Sequence, residues 1–479
     1  MGADREAAAR LRVHQAALHV RHPHSTILNR GGGALNLAAF AIGAEPPAAA
    51  RAAAARALLD TIGVTLAGAA EPAARIVQRV VEQDGSGPCR VLGTAWRVSA
   101  SNAALANGTA AHALDYDDMC FVSLAHPSAP LVAAALAAAE VAGASGRALL
   151  DAYVVGFEIE GRLGRAMNPR HYQRGWHCTS TLGTIGAAAA VSRLLGLDAA
   201  ETGHALAIAA SEASGLKENF GTMVKPLHAG LAARNGVVAA LLAQAGMTAS
   251  GAALDGPQGF LAAMDSEQAS LEPFAGDLGT RWEIVDTGIT VKLYPSCAGT
   301  HPTLDALLDL KRRERFAAAD VEAIEIGVDA IVPTILLYDR PSSGLEGKFS
   351  MPFCAAAAVV HGRVGIETFD AGMLRDPAIV AMQARVTMRV DPTLDASAPS
   401  LTQARVTVRL RDGRVLTASA NGARGYPERP ASDEELATKF TSCATQTLSA
   451  SQSANALTQL RAIESIADVR TLTQVLSRA

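Results

Sequence analysis

Apolar residues recur at three- and four-residue steps over the first part of the chain, from Pro46 to about Met264. This spacing places them along one side of a helix that has 3.6 residues per turn. Pro46 opens the first segment, which runs through Leu66, and breaks that contain Gly, Asn or Asp separate the later ones. The pattern predicts further helices at 100–114, 130–142, 148–166, 180–195, 200–214 and 229–245.

The pattern changes near Gly276, where polar and apolar residues begin to alternate as they do in strands. Asp412-Gly413 is typical of a tight hairpin turn between two such segments. After Pro430 the chain returns to helix, because Ser432 is followed by acidic residues in the first turn. The predicted strands are 321–328, 384–390, 405–410 and 414–417, and the helices among them are 301–315 and 351–362.

These elements predict a mainly α protein with an inserted α+β domain. Residues 1–275 form the main part of a helical domain, with 1–45 as a possible extension. Residues 276–420 form a smaller α+β lid domain, and residues 421–479 return to the helical domain. A ligand pocket is expected where the two domains meet.

Composition limits the partners and the compartment. A net charge of −4 gives no reason to expect nucleic acid or an anionic membrane as a partner. The cysteines are scattered without a CxxC pair, which argues against disulfides and structural zinc and favours the cytoplasm. The N-terminal 30 residues lack the apolar segment of a secretory signal, and no apolar run reaches the ~18 residues of a membrane span.

Lysine is scarce, since arginine greatly outnumbers it. A chain that uses Arg by default keeps Lys where a compact point charge or an adjustable pKa matters. The lysines are Lys217, Lys225, Lys292, Lys311, Lys348 and Lys439.

Two clusters in the helical part offer groups for proton transfer. Asp115, Asp117 and Asp118 would repel one another unless cationic groups lie among them, and His126 follows closely. In a helix Asp115 and Asp118 would share a face; alternatively, some of the acids cap the next helix or face solvent. The spacing matches no standard metal motif, so no metal is predicted. His177, in the stretch 171–180, suits general acid–base catalysis, although a histidine considered alone is more often a structural residue.

Two further clusters contain lysines. Lys225 lies among apolar residues before Pro226, at a predicted turn before a helix, where its ammonium could stabilise a carboxylate. The alternative is a surface lysine with a buried stem. Cys297 follows Lys292 at the start of the predicted lid domain, and the nearby cation favours a lowered thiol pKa. A buried, inert cysteine is the alternative.

Taken together and in this order, these motifs resemble the MmgE/PrpD family over most of the chain. The most specific is Gly-Thr-Met-x-Lys-Pro-Leu-His at 221–228. The resemblance implies a helical domain with an α+β lid, a homodimer, no cofactor and a small polycarboxylate substrate. It places Asp115, His126, His177 and Lys225 in the pocket. The other segments that carry it are 58–63, 171–184, 292–301 and 344–350.

The resemblance is strongest to members that epimerise iminodisuccinate. That reaction needs a group that stabilises the enediolate, for which Lys225 is the candidate and Lys292 the second. His177 and Cys297 would form the acid–base pair, with Asp115 and His126 orienting them. Lys292, His228 and Met119 are expected to contact the substrate.

Other activities of the family remain alternatives. They are 2-methylcitrate dehydration and cis-aconitate decarboxylation, and the latter would call for Thr at Met119 and His at Cys297. A catalytically inactive scaffold that binds polycarboxylates is the non-enzymatic alternative.

Overall fold

The computed structural model describes residues 32–264, 271, 276–399 and 401–478. Most of the proposed N-terminal extension, residues 1–31, therefore lies outside the described residues. The first part of the chain is helical, as predicted, with one short pair of strands, β1 (Cys89–Arg90) and β2 (Arg97–Val98). Its helices are α1 (Gly32–Gly43), α2 (Ala48–Gly68), α3 (Pro72–Glu82), α4 (Ala100–His112), α5 (Ser128–Ala142), α6 (Gly146–Met167), α7 (Arg170–Gln173), α8 (Cys178–Leu194), α9 (Ala199–Glu212), α10 (Val224–Gln244), α11 (Phe260–Ala263) and α12 (Glu283–Asp286).

The second part combines helices with a four-stranded mixed sheet. The strands are β3 (Val321–Val328), β4 (Val386–Val390), β5 (Gln403–Leu410) and β6 (Val415–Asn421), in the order β4-β3-β5-β6. The helices of this part are α13 (His301–Glu314), α14 (Gly344–Gly347), α15 (Met351–His361) and α16 (Pro377–Gln383), and the chain ends with α17 (Asp433–Ala444), α18 (Ala450–Arg461) and α19 (Arg470–Val475).

Helix α13 packs on strands β5 and β6, and α15 packs on β4. Strand β3 pairs parallel to β4 and antiparallel to β5, with Ile324 beside both Val386 and Val408. The predicted hairpin of β5 and β6 is present, and Gly413 has the positive φ of +87° that its turn requires.

The Ala-rich helices of the first part pack closely because Ala and Gly leave little side-chain volume between them. A Cβ on Gly108 would lie 2.9 Å from the Cα of Gly230, so α4 and α10 approach almost backbone to backbone. This contact positions the first turn of α10 beside the last turn of α4. Both helix ends contribute to the candidate site.

Helix α17 returns to the first part of the chain and packs on α2. Ser432 caps it with the predicted capping box to Glu435. Gly63 of α2 allows the approach, because a Cβ there would lie 3.0 Å from the Phe440 ring. Below this contact Lys439 forms a buried ion pair with Asp60, with 2.7 Å between the Nζ and Oδ1 atoms.

No single helix among the described residues is both long and apolar enough to cross a membrane. Helices α2 and α3 meet those criteria only as a pair, and they are bent by 85° relative to each other.

Candidate active site

The centre of the site is the turn that follows α4. The helix ends at His112, and Asp115 adopts a left-handed conformation with φ of 51°. The conditional expectation of a helix with Asp115 and Asp118 on one face was therefore wrong. Asp118 instead accepts hydrogen bonds from the backbone N–H of Ser128, at 3.2 Å, and from the Ser128 hydroxyl, at the start of α5.

Lys225, in the first turn of α10, reaches into this turn. Its ammonium donates to Asp115 Oδ1 and to His112 Nε2, each at 2.7 Å. Burial alone would raise the pKa of Asp115, but the ammoniums of Lys225 and Lys292 hold it well below its ordinary value. Asp115 is therefore ionised and fixes the cation beside it.

His112 connects Lys225 to a second carboxylate. Its Nδ1 lies 2.8 Å from Asp117 Oδ2, so Nδ1–H donates to Asp117 while Nε2 is free to accept from Lys225. Burial and the ammonium of Lys225 lower the pKa of His112, which keeps the ring neutral. Although burial opposes it, the pKa of Asp117 is held well below its ordinary value by His112 and His126.

His126 lies between the two ionised aspartates, at the start of α5. Its Nδ1 is 3.4 Å from Asp117 Oδ2 and its Nε2 is 3.8 Å from Asp115 Oδ1. The backbone N–H of His126 donates to Thr179 Oγ1 at 2.9 Å, which joins this segment to α8. Burial, together with the ammonium of Lys292, lowers the pKa of His126 to about 3.

His177 precedes α8 and faces the same centre. Its Nδ1 is 3.0 Å from His228 Nδ1, so one of the two rings donates to the other. The ring stacks on His112 with 5.7 Å between centroids, and the edge contact to Phe220 is 4.9 Å. Burial and the charge of Lys225 hold its pKa well below the ordinary value, so the imidazole is neutral and able to accept a proton.

Cys297 approaches from the second part of the chain, where its backbone N–H donates to Lys348 O at 3.0 Å. Burial raises the pKa of its thiol to about 11, and the negative charge of Asp115 adds to the shift. The expectation of a lowered pKa was wrong, because loss of hydration outweighs the nearby Lys292. At neutral pH the thiol carries its proton.

These groups enclose a small cavity of about 30 Å³. Six of the predicted site residues line it, namely Asp115, Met119, His126, His177, Lys225 and Cys297. Tyr172, Phe220 and Phe349 supply part of its apolar wall. The volume corresponds to about two water molecules, so a polycarboxylate requires the walls to separate.

Two predicted substrate contacts do not line the cavity. His228 lies behind His177, to which it is hydrogen bonded. Lys292 is fully buried behind Asp115, with its Nζ 3.1 Å from Asp115 Oδ2 and 3.0 Å from Asp115 O. Both reach the cavity only through another site residue.

Four of these side chains could together reach one metal ion: His112, Asp115, Asp117 and His126. Lys225 already donates to two of them, so its ammonium supplies a cation at this cluster. His112 and Asp117 are two site residues to which the sequence motifs assign no individual role. No spacing rule indicates the Asp117–His112–Lys225 chain, because it depends on the left-handed turn at Asp115.

Comparison with known proteins agrees with this architecture. The N-terminal domain of the MmgE/PrpD family matches residues 35–272, and its C-terminal domain matches residues 294–464. The chain belongs to the MmgE/PrpD family. The match covers both the helical part that carries Lys225 and the part that carries Cys297.

Three curated proteins similar to this chain come from two mammals and a fungus. Cis-aconitate decarboxylase of Mus musculus is 28% identical over 439 residues, which is 88% of each chain. Cis-aconitate decarboxylase of Homo sapiens is 28% identical and covers 88% of this chain and 89% of its own. A cis-aconitate decarboxylase-like protein of Aspergillus oryzae is 29% identical and covers 88% and 91%.

Proposed function

We propose that this protein catalyses proton transfer at a carbon next to a carboxylate of a small polycarboxylate. One observation carries the proposal. The ammonium of Lys225 is fixed between Asp115 and His112 at the wall of a buried cavity that a neutral imidazole and a protonated thiol also line. Such a cavity holds a cation, a proton acceptor and a proton donor.

Lys225 stabilises the charge that develops during the reaction. Two of its three ammonium protons are used by Asp115 and His112, which leaves one for a substrate carboxylate. Removal of the neighbouring C–H proton moves negative charge onto that carboxylate as an enediolate forms. Because Asp115 and His112 already orient Lys225, it stabilises this charge without reorganisation.

His177 and Cys297 move the proton. The C–H proton passes to the neutral imidazole of His177, which becomes imidazolium. The Cys297 thiol gives its proton to the carbon and becomes a thiolate. Exchange with water when the cavity opens returns both groups to their starting states. Because a second group supplies the returning proton, that proton can add to the opposite face of the carbon. Inversion at this carbon is an epimerisation.

Iminodisuccinate is the first substrate we propose, on the resemblance of the sequence motifs. Met119 and Cys297, where cis-aconitate decarboxylation would call for Thr and His, both line the cavity. These two departures favour a substrate other than cis-aconitate. Dehydration of 2-methylcitrate would use the same acceptor and donor, with the donor protonating a leaving hydroxyl.

Decarboxylation of cis-aconitate is the second candidate, favoured by the names of the relatives. Loss of CO₂ leaves the same kind of carbanion, and the protonated thiol of Cys297 would protonate it. The homodimer and the cytoplasmic location remain predictions from the sequence.

Proton NMR in deuterated water tests the proposal. We expect the α-hydrogen signal of iminodisuccinate to disappear with the carbon skeleton intact, and ¹³C-labelled cis-aconitate to release no CO₂. Release of CO₂ without exchange on iminodisuccinate would select the second candidate. A folded protein that acts on neither compound, and forms no alkene from 2-methylcitrate, would overturn the proposed function.

A further inference from the structure

Three consecutive backbone carbonyls in the Asp115 turn each accept a hydrogen bond from a different buried lysine. Lys348 Nζ donates to Leu114 O at 2.7 Å, Lys292 Nζ to Asp115 O at 3.0 Å, and Lys439 Nζ to Tyr116 O at 2.8 Å. We call Lys292, Lys348 and Lys439 the lysine cradle. With Lys225 on the Asp115 side chain, four of the six lysines in the chain meet at one turn.

The members of the cradle come from distant segments. Lys292 leads into the part that contains the sheet, Lys348 follows α14, and Lys439 lies on α17, which is 323 residues from Tyr116. Each is at most 5% exposed. The turn is therefore held from three directions by segments that otherwise pack on different parts of the molecule.

Satisfying the carbonyls does not by itself explain lysines. A buried carbonyl outside regular structure needs a donor, and a hydroxyl or amide would serve. An ammonium loses far more hydration on burial than a neutral donor does. The added positive charge is useful where the turn must present an ionised carboxylate and keep an unusual backbone conformation, and Asp115 has both properties.

Lys348 and Lys439 do not line the cavity that Lys225 and Cys297 enclose. Lys348 borders a separate cavity of about 190 Å³, whose rim also carries Glu71 and Asp370. Lys439 lies over the Tyr116 ring, 4.0 Å from its centroid, and pairs with Asp60. Lys439 therefore acts on the site only through the backbone of the turn. Lys348 also contacts the segment of Cys297, because its Nζ donates to Pro295 O at 2.8 Å.

We propose that the lysine cradle positions Asp115, and through it the Lys225 ammonium, so that Lys348 and Lys439 are positioning residues of the reaction. Their effect on turnover rests on the proposed function. Their effect on the conformation of the turn does not, because the contacts with residues 114–116 exist whatever the substrate is.

The test is a double variant, Asp60→Asn with Lys439→Met, which removes the buried ion pair as a whole and leaves no unpaired charge. Lys348→Met tests the cradle from an independent segment. Lys311→Met is the matched control, because Lys311 also donates to a backbone carbonyl, Phe316 O at 3.4 Å, but at the end of α13.

Two readouts separate positioning from folding. Amide hydrogen exchange of residues 113–119 reports on the turn without any substrate. Proton exchange on the substrate should lose about 100-fold in kcat with KM changed by less than about threefold, since misplacing a catalytic group by an ångström costs about that much. We expect faster amide exchange at residues 113–119 and the loss of kcat in the double variant and in Lys348→Met. We expect neither change in Lys311→Met.

Unchanged amide exchange and turnover in either cradle variant would overturn the proposal. If the double variant does not fold, Lys348→Met decides by the same two readouts. If the unmodified protein turns over no polycarboxylate, the proposed function fails, while amide exchange at residues 113–119 still confirms or rejects the cradle.

Discussion

Two buried pairs of carboxyl groups lie close together and behave in opposite ways. Asp115 and Asp117 face the cavity side of the turn, among lysines and histidines, and their pKa values lie well below the ordinary range. Asp118 and Glu160 lie behind them, and neither forms an ion pair within the part of the chain that the structure describes. Burial raises the pKa of Asp118 to about 8 and that of Glu160 well above its usual value.

This comparison shows that burial alone does not set the ionisation of these acids. Asp117 and Asp118 are neighbours in sequence and both are fully buried. They differ in their partners, since Asp117 accepts from His112, while Asp118 accepts from Ser128, whose hydroxyl also contacts Tyr153. One acid is a charge used by the site, and the other is a neutral hydrogen-bonding group that fixes the start of α5.

Removal of the Lys225 ammonium, the cation on the cavity side, should have the largest effect on kcat. In Lys225→Met the enediolate loses its stabilising group, and we expect a fall in kcat of about 10²–10³-fold, the usual cost of one such donor. The measurement is the rate of α-hydrogen exchange, with Lys311→Met as the control. A rate within about threefold of the unmodified protein would show that Lys225 does not stabilise the transition state.

Substitutions at Asp117 and Asp118 should have the next largest effect on kcat, and they should distinguish the charged pair of acids from the neutral pair. Asp117→Asn removes the charge that fixes the proton of His112 on Nδ1, so the hydrogen bond from Lys225 to Nε2 is lost in the competing tautomer. We expect an intermediate loss of kcat, about 10-fold to 100-fold. Asp118→Asn replaces a neutral acid with a neutral amide of the same shape, and at pH 7 kcat should change by less than about threefold.

Steady-state kinetics of both variants at pH 7 make the comparison, with thermal melts to confirm that each is folded. Equal losses in Asp117→Asn and Asp118→Asn would contradict the division of the acids into a charged and a neutral pair.

The smallest effect concerns stability and pH. An unfolded Asp118 loses its proton near pH 4, whereas the folded protein keeps it to about pH 8. Between pH 5 and 8 the folded state thus binds one more proton at this group, and its free energy of unfolding falls as pH rises. The slope is about 1.4 kcal/mol per pH unit for one group.

Urea unfolding of Asp118→Asn from pH 5 to 8 should therefore show a slope that is less steep by about that amount. Asp115 and Asp117 contribute no slope in this window, because both are ionised in the folded and unfolded states above pH 5. The same slope in the variant and the unmodified protein would show that Asp118 is charged in the folded state.

The sequence predicts the elements better than the interactions among them. Helical periodicity locates α5, α6 and α8 to within two residues, because each buries apolar side chains at helical spacing. The Asp412-Gly413 turn is readable because only a few residues accept its positive φ. The division into domains at residues 275 and 420 stays a prediction.

Of the site, the residues with chemically reactive groups could be named in advance, and five of them line one cavity. The protonation states of these residues could not be predicted. The sequence shows that Lys292 is close to Cys297, but it does not show that the thiol is buried. The lysine cradle was equally hidden, since Lys348 and Lys439 lie 234 and 323 residues from the carbonyls they contact. Only the scarcity of lysine hinted that these positions matter.

The contact of Lys439 with Tyr116 has a consequence for biosynthesis. A ribosome makes the turn at 114–116 long before it makes α17, so the nascent chain carries Asp60 and the Tyr116 carbonyl without their ammonium partner. Domains tend to fold from the N-terminal end as they emerge. The helical part therefore completes this contact only after α17 has been synthesised. A premature stop codon before α17 would yield a protein that has every cavity-lining residue but lacks the Lys439 contact with the turn.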